Sequence, residues 1–262
     1  MRKKGWTAAV VGAVVAVVAF GSEVAQVTGY NLRDIVDGVV VRQQHSSPTP
    51  TAPVPHPTQA SRAVLPVHPH VMRDRNWADP AVLETWLDFD HTGTLPADEA
   101  MAQRRLWDYE GAHNGGFTPS QWEYSPYAVA RTFNDFAGQA RVGDRPFDDA
   151  RSAGAAISDS VYRRHEPVIA LVDDAKTYIL IVGVTLGQGG VTAPPERVIV
   201  DDPWPIGTYG PVRNEGSAAA LGLDREMTWQ EFLAHFTPVP SGLPGGWSGR
   251  WVLVAAGLPL VT

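Results

Sequence analysis

Residues 88–99, with the sequence DFDHTGTLPADE, alternate oxygen-bearing side chains with spacers in a way that suits a hard cation. The first, third and fifth positions carry side-chain oxygens, a glycine at the sixth permits a sharp turn, and a glutamate closes the segment at the twelfth. A calcium ion prefers several oxygen ligands, and such a glutamate supplies two of them. The segment therefore predicts a calcium site with these ligands: Asp88, Asp90, Thr92, Thr94 and Glu99.

This spacing resembles the ligand loop of EF-hands, which lies between two helices. A helix signal precedes the segment, and EAMAQRRLWDYEG (residues 99–111) is suited to the second helix. A single extracellular site of this kind binds calcium weakly, with a dissociation constant on the order of 10⁻⁴–10⁻³ M. The alternative is an acidic connection between two helices that holds no ion.

Residues 88–92 also resemble the first motif of haloacid-dehalogenase-type phosphatases. That resemblance implies Asp88 as the nucleophile and Asp90 as the general acid. The motif follows a buried strand in that family, whereas the preceding PAVLETW predicts a capped helix. A phosphatase is therefore one alternative function.

A second group of candidate residues lies in three segments whose order is informative. The segments are WEYSP (122–126) at a helix start, TYILIVGV (177–184) and RVIVDDPWP (197–205). Their order resembles the bacteriocin-processing, double-glycine-leader branch of papain-like cysteine peptidases over roughly residues 107–257. The resemblance implies that Tyr124 stands at the position of the catalytic cysteine, and Thr177 at that of the histidine.

Only the third catalytic position is kept in this sequence, as Asp202 of an Asp-Pro pair. The chain has no cysteine, and a tyrosine with a pKa of about 10 is a poor nucleophile at neutral pH. Ser125 would need a positioned base, but His113 and His165 are expected in loops or turns. We therefore expect a non-catalytic pseudopeptidase, with a divergent hydrolase acting through Ser125 as the enzymatic alternative.

Four aromatic residues would lie near the former catalytic positions if the resemblance holds. Such side chains in a groove suit an extended peptide or a cell-envelope component such as a sugar polymer. The alternative is that they fill the former pocket as part of the core. The candidate ligand-binding residues are Trp122, Tyr124, Tyr127 and Trp204.

The surrounding patterns predict helices first and strands later. Helix signals occur at Asp79-Pro80, Ser125-Pro126 and Thr228–Glu231, and residues 147–164 are amphipathic. Predicted strands cover Pro167–Val172, Tyr178–Val184, Arg197–Val200 and Arg250–Ala255. This order predicts an α+β fold, and the resemblance implies a papain-like one in which helices precede a mostly antiparallel sheet.

The N-terminus predicts export from the cytoplasm. Three basic residues precede an uncharged run, residues 5–22, which is typical of a signal peptide or a membrane anchor. The net charge of −7 argues against a nucleic-acid partner. We expect an extracytoplasmic protein, secreted or membrane-anchored through residues 5–22 if these are not cleaved.

The chain of 262 residues divides into four predicted segments. Proline alternates with serine and threonine in residues 45–58, which favours an extended, disordered linker. The segments are a signal peptide or hydrophobic anchor helix (1–26), a Pro/Ser/Thr-rich linker (27–70), a helical segment with the calcium loop (71–110) and the peptidase-like domain (111–262).

Overall fold

The structure is a computed structural model that describes residues 61–212 and 219–257. Helices precede most of the strands along the chain, so the fold is α+β, as predicted. A π-helical turn, Asp159–Arg164, continues the fourth helix, and a 3₁₀ turn covers Gly190–Thr192. The α-helices are α1 (Ala78–Phe89), α2 (Glu99–Ala112), α3 (Pro126–Ala137), α4 (Ala150–Ser158), α5 (Ile206–Tyr209) and α6 (Trp229–Phe232).

The strands form one sheet, and every pairing within the described ranges is antiparallel. The strands are β1 (Arg62–Val64), β2 (Val142–Phe147), β3 (Val168–Val172), β4 (Thr177–Thr185), β5 (Arg197–Asp201), β6 (Arg225–Thr228) and β7 (Trp251–Ala256). Their order is β2-β7-β3-β4-β5-β6, and β1 also pairs with β4.

Strand β1 continues the sheet where β3 stops. β3 pairs with β4 as far as Ile181, and Arg62–Val64 pair with Gly183–Thr185. Leu65 follows, is buried, and donates its backbone N–H to the carbonyl of Val182 at 2.8 Å. This strand lies inside the range 27–70 that we assigned to the linker. The proline-rich pattern ends at residue 58, and the apolar residues after it pack against the sheet.

Helices cover both faces of the sheet. Alternate residues of β3 face opposite ways, because side chains alternate along a strand. Ile169 and Leu171 join the cluster that contains residues of α1, α2 and α3, and Val168 and Ala170 join the cluster that contains residues of α4 and α6. Because both faces of the central strands are buried, these strands are continuous apolar runs. Such runs made them recognisable in the sequence.

The helix starts follow local capping chemistry at two predicted places. Ser125 caps α3, with Pro126 in the first turn, and Gly138 ends the helix with φ at 71°. Thr228 forms the expected capping box with Glu231 at α6. The prediction of Asp79 as the cap of α1 is wrong, because Trp77 is the N-cap and Asp79 lies in the first turn with its carboxyl buried.

The predicted strands match β3, β4, β5 and β7 to within one or two residues. Strand β2 was missed, and its last residue, Phe147, was placed in the amphipathic run 147–164. Its sequence VGDRPF contains a proline and charges, which argue against a central strand. β2 is an edge strand, where proline is tolerated.

The described residues fall in one compact unit, Pro57–Thr262. The predicted boundary at residue 110 does not separate two bodies, since α1 packs against α2, α3 and β4. Within the described ranges no helix is long and apolar enough to cross a membrane. The hydrophobic run 5–22 and the proline-rich stretch 45–58 lie outside the described residues.

Candidate functional site

A cavity of about 310 Å³ lies where four parts of the chain meet. These are the segment that leads into α1, the connection before α3, the turn between β3 and β4, and the loop after β5. Both polar and aromatic side chains reach it. The lining residues are Met72, Arg75, Asn76, Ala78, Asp79, Trp122, Glu123, Tyr124, Asp173, Ala175, Lys176, Thr177, Tyr178 and Trp204.

Two of the three positions that the sequence resemblance equates with catalytic residues line this cavity. Tyr124 lies just before Ser125 at the head of α3, and Thr177 is the first residue of β4. The two segments are joined by a hydrogen bond of 3.0 Å from the Tyr178 hydroxyl to the Tyr124 carbonyl. The ring of Tyr124 packs against Trp107, with 4.0 Å between the ring centroids. Two segments far apart in the sequence therefore form one wall.

Asp202 lies behind the cavity instead of lining it. Its carboxylate accepts backbone N–H groups of Trp204 at 3.1 Å and Leu221 at 2.7 Å. Burial raises its pKa to about 6, against the lowering effect of these hydrogen bonds. The side chain thus stabilises the loop in which Trp204 lies against the cavity. An Asp-Pro pair in the sequence also predicts such a turn-stabilising role.

The chemistry available at these positions is weak. Burial, followed by the nearby carboxyls of Asp79 and Glu110, raises the pKa of Tyr124 above its ordinary value, so its phenol stays protonated. Ser125 is fully buried, and its Oγ accepts the N–H of Ala128 at 3.2 Å as the helix cap. Among the described residues that line the cavity there is no histidine, serine or cysteine.

The four predicted aromatic residues have different positions. Trp122 and Trp204 line the cavity but are each 5% exposed. Their indole N–H groups donate to the carbonyls of Pro244 and Gly210 at 2.7 and 2.8 Å. They are therefore fixed wall residues. Tyr127 is not part of this lining, and its hydroxyl accepts a hydrogen bond from Arg131 at 3.2 Å.

A pair of buried carboxyls beside the cavity was not anticipated. Asp79 lines it from α1 and is 4% exposed, and Glu110 lies behind it on α2 and is fully buried. The spacing of Gln103, Leu106 and Glu110 on the buried side of α2 was a signal for the second residue. No local signal identifies Asp79, because Asp before Pro usually caps a helix.

A histidine that was not considered also lies close to the site. Its ring, that of His235, is 3.0 Å from Asp173 between Nδ1 and Oδ1. Asp173 also donates its backbone N–H to the His235 carbonyl at 2.8 Å. His235 is not one of the lining residues. The arrangement fastens the β3–β4 turn to the segment after α6.

The predicted calcium loop adopts a different set of contacts. The ring nitrogens of His70 lie 3.8 Å from Asp88 and 3.5 Å from Glu99, which are predicted ligands, and 3.7 Å from Glu84 of α1. Asp90 pairs with Arg141, and Glu99 also pairs with Arg73.

The guanidinium groups of Arg73 and Arg141 and the imidazole ring of His70 thus lie beside the predicted ligands. The Thr92 hydroxyl lies 3.1 Å from that of Thr94. Across the described residues no group of three or more acidic, histidine or cysteine side chains has the arrangement of a metal site. These contacts do not fit a calcium ion, and the calcium loop stays a prediction of the sequence.

The phosphatase interpretation of the same segment fails on secondary structure. Asp88 is part of α1, which extends over Ala78–Phe89, and no strand leads into it. The dehalogenase-type motif needs its first aspartate at the end of a buried strand. The helix that PAVLETW predicted is the element that forms.

The sequence matches no protein-family model and no curated protein. Among solved structures, the chain is similar to a double glycine motif protease from an AMS/PCAT transporter, solved in complex with the leader peptide. That similarity has 9% identity and a TM-score of 0.39, and it covers 74% of this chain and 94% of the other.

The chain is also similar to the peptidase domain of Streptococcus ComA, a bifunctional ABC transporter involved in a quorum-sensing pathway. Identity is 15%, the TM-score is 0.36, and 72% of this chain and 97% of the other are covered. At these identities and TM-scores the similarities assign neither an activity nor a ligand to this chain.

Proposed function

We propose that this chain is a non-catalytic, papain-like peptidase-like module that binds an extended peptide in the cavity. One observation carries the proposal: Tyr124 and Thr177, where the family has its cysteine and histidine, line the same cavity. A cleft at the position of the family's active site that lacks a nucleophile and a base is suited to binding a peptide without cleaving it.

The walls support this proposal. Trp122 and Trp204 are held by their indole hydrogen bonds, so a ligand meets a surface that is already formed, which limits the entropy lost on binding. The polar groups beside them, Asn76 and Thr177, can pair with peptide N–H and C=O groups. The proposal retains the extracytoplasmic location, secreted or membrane-anchored, that the N-terminal residues predict.

The proposal is tested by binding of the full chain to an immobilised pool of random dodecapeptides. Thr177→Arg places a long side chain in the cavity, and we expect binding to fall at least about tenfold, the effect of about 1.4 kcal/mol. Thr185→Arg is the matched control, because Thr185 is a half-buried threonine at the other end of β4. We expect it to leave binding unchanged.

The same peptides are then analysed by mass spectrometry after prolonged incubation. We expect them to remain intact. Cleavage that Ser125→Ala abolishes would establish the hydrolase alternative and reject a non-catalytic module. Equal binding by the wild type and Thr177→Arg would show that peptides do not occupy this cavity.

A further inference from the structure

Asp79 and Glu110 form a carboxyl pair that has no cationic partner within residues 61–212 and 219–257. Asp79 lies in the first turn of α1 and Glu110 in the last turn of α2, and they are 4% and 0% exposed. No described residue donates a hydrogen bond to Asp79 Oδ2 or to either carboxyl oxygen of Glu110. The two carboxyls are close enough to influence each other's pKa, and two neighbouring carboxyls avoid repulsion when at least one carries a proton.

Asp79 faces the cavity and Glu110 does not. Asp79 is one of the lining residues, whereas Glu110 is fully buried and is not one of them. The N-cap of α1, Trp77, supplies no side-chain hydrogen bond to the helix start. A nearly buried carboxyl that belongs to a lining residue and has an oxygen without a partner is a group that a ligand can satisfy.

The charges around Asp79 indicate which ligand suits it. Arg75 and Lys176 line the cavity, and so do Glu123 and Asp173, so two cationic and two anionic groups surround the site. The balance favours an uncharged ligand. The titratable and charged groups that face Asp79 across the cavity or pack beside it are Glu110, Glu123, Tyr124, Tyr178, Arg75, Asp173 and Lys176.

We infer that protonated Asp79 donates a hydrogen bond to a backbone carbonyl of a peptide in this cavity. The inference rests on the proposed function. It adds a named polar contact and a dependence on pH that a purely aromatic cleft would lack. An ionised Asp79 has no proton to donate and would repel the carbonyl oxygen.

The titration of the pair supports this assignment. Burial raises the pKa of Asp79 from 3.8 to about 8, against the lowering effects of its own backbone and of Glu110. Burial and then the charge of Asp79 raise the pKa of Glu110 well above its ordinary value. Asp79 therefore keeps its proton at neutral pH and loses it as the pH rises through about 8.

The test uses the full chain and an N-acetylated, C-amidated peptide pool without ionisable side chains, so that only the protein titrates. We expect binding to fall at least about tenfold between pH 6.5 and 9.5, as for the loss of a hydrogen bond of about 1.4 kcal/mol. Asp79→Asn keeps a donor that does not titrate, and its binding should be equal at both pH values. Asp79→Leu removes the donor and should bind weakly at both.

A second measurement needs no ligand. The infrared C=O band of protonated carboxyls should be present at pH 6.5 and smaller in both Asp79→Asn and Glu110→Gln. Asp148→Asn, which changes an exposed carboxyl, is the control and should leave the band unchanged. Near-ultraviolet circular dichroism checks that each variant is folded.

The outcomes separate the inference from the proposed function. Peptide binding with the same affinity at both pH values overturns the inference and leaves the binding module intact. A pH dependence that persists in Asp79→Asn, or no protonated band at pH 6.5, also overturns it. If the wild type binds no peptide at either pH, the proposed function is rejected, and the role of Asp79 in peptide binding with it.

Discussion

Ser125 makes two structural hydrogen bonds, and the one at its hydroxyl is incompatible with a role as a nucleophile. Its Oγ accepts the N–H of Ala128 at 3.2 Å, and its own N–H donates to the Asn114 side chain at 2.8 Å. The residue is fully buried. Asn114 in turn donates to the Trp122 carbonyl at 2.9 Å, so this serine helps to hold a wall of the cavity.

Ser125→Ala should therefore act on stability. Loss of the cap costs about 1 kcal/mol, which lowers the melting temperature by about 2–4 °C in a domain of this size. Thermal unfolding followed by circular dichroism measures the shift. Ser241→Ala, at an exposed serine, should change it little. An unchanged melting temperature for Ser125→Ala would show that the hydroxyl does not stabilise α3.

At the scale of elements, the sequence indicated the structures that depend on local signals but not those that depend on tertiary contacts. Capping chemistry located α3 and α6, and apolar runs located β3, β4, β5 and β7. β1 has three residues and acquires its place only by pairing with β4. Sequence patterns within one element could identify these helices and strands. They could not identify β1, because that strand is defined by its pairing with a distant strand.

The same distinction applies to the site. Family resemblance named Tyr124 and Thr177, which line one cavity. It could not reveal that Asp79 meets Glu110, because this contact joins two helices and each residue has an ordinary local explanation. In the 88–99 segment, oxygen spacing suggested calcium. The position of His70 and Arg141 beside these oxygens depends on tertiary packing.

The calcium prediction can be tested through the ion pair between Arg141 and Asp90 in the connection between α1 and α2. Calcium must displace Arg141 from Asp90, so Arg141→Gln should strengthen binding to the loop. We expect about 10 mM calcium to raise the melting temperature more in this variant than in the wild type. Magnesium at the same concentration controls for ionic strength. Identical melting temperatures with calcium and magnesium in both proteins would remove the calcium prediction.

At the scale of the whole molecule, buried carboxyls set the dependence of stability on pH. Their burial raises several pKa values above the ordinary ones, to about 8 for Asp79 and to about 6 for Asp201 and Asp202. The folded state therefore binds more protons than the unfolded state between pH 4 and 8, and stability falls as the pH rises through that window. The other carboxyls with raised pKa values are Glu84, Asp90, Glu110 and Glu166.

We expect the melting temperature to be higher at pH 5 than at pH 8.5. A difference of only about 1 kcal/mol gives about 2–4 °C, and Asp79→Asn should remove part of it, mainly the part above pH 6. Asp148→Asn is the control, because the Asp148 side chain is 80% exposed. A melting temperature that rises from pH 5 to pH 8.5 would contradict the predicted protonation of these carboxyls.

The two edges of the sheet bear on how copies of this chain behave at high concentration. Strand β2 forms one edge, and Pro146 within it has no N–H to offer to an incoming strand. At the other edge, Glu226 of β6 pairs with Arg62 and Arg197. Charged residues and proline at sheet edges discourage growth by strand addition. We therefore expect the proline in β2 and the charged side chains at β6 to disfavour fibrillar self-association of the described domain.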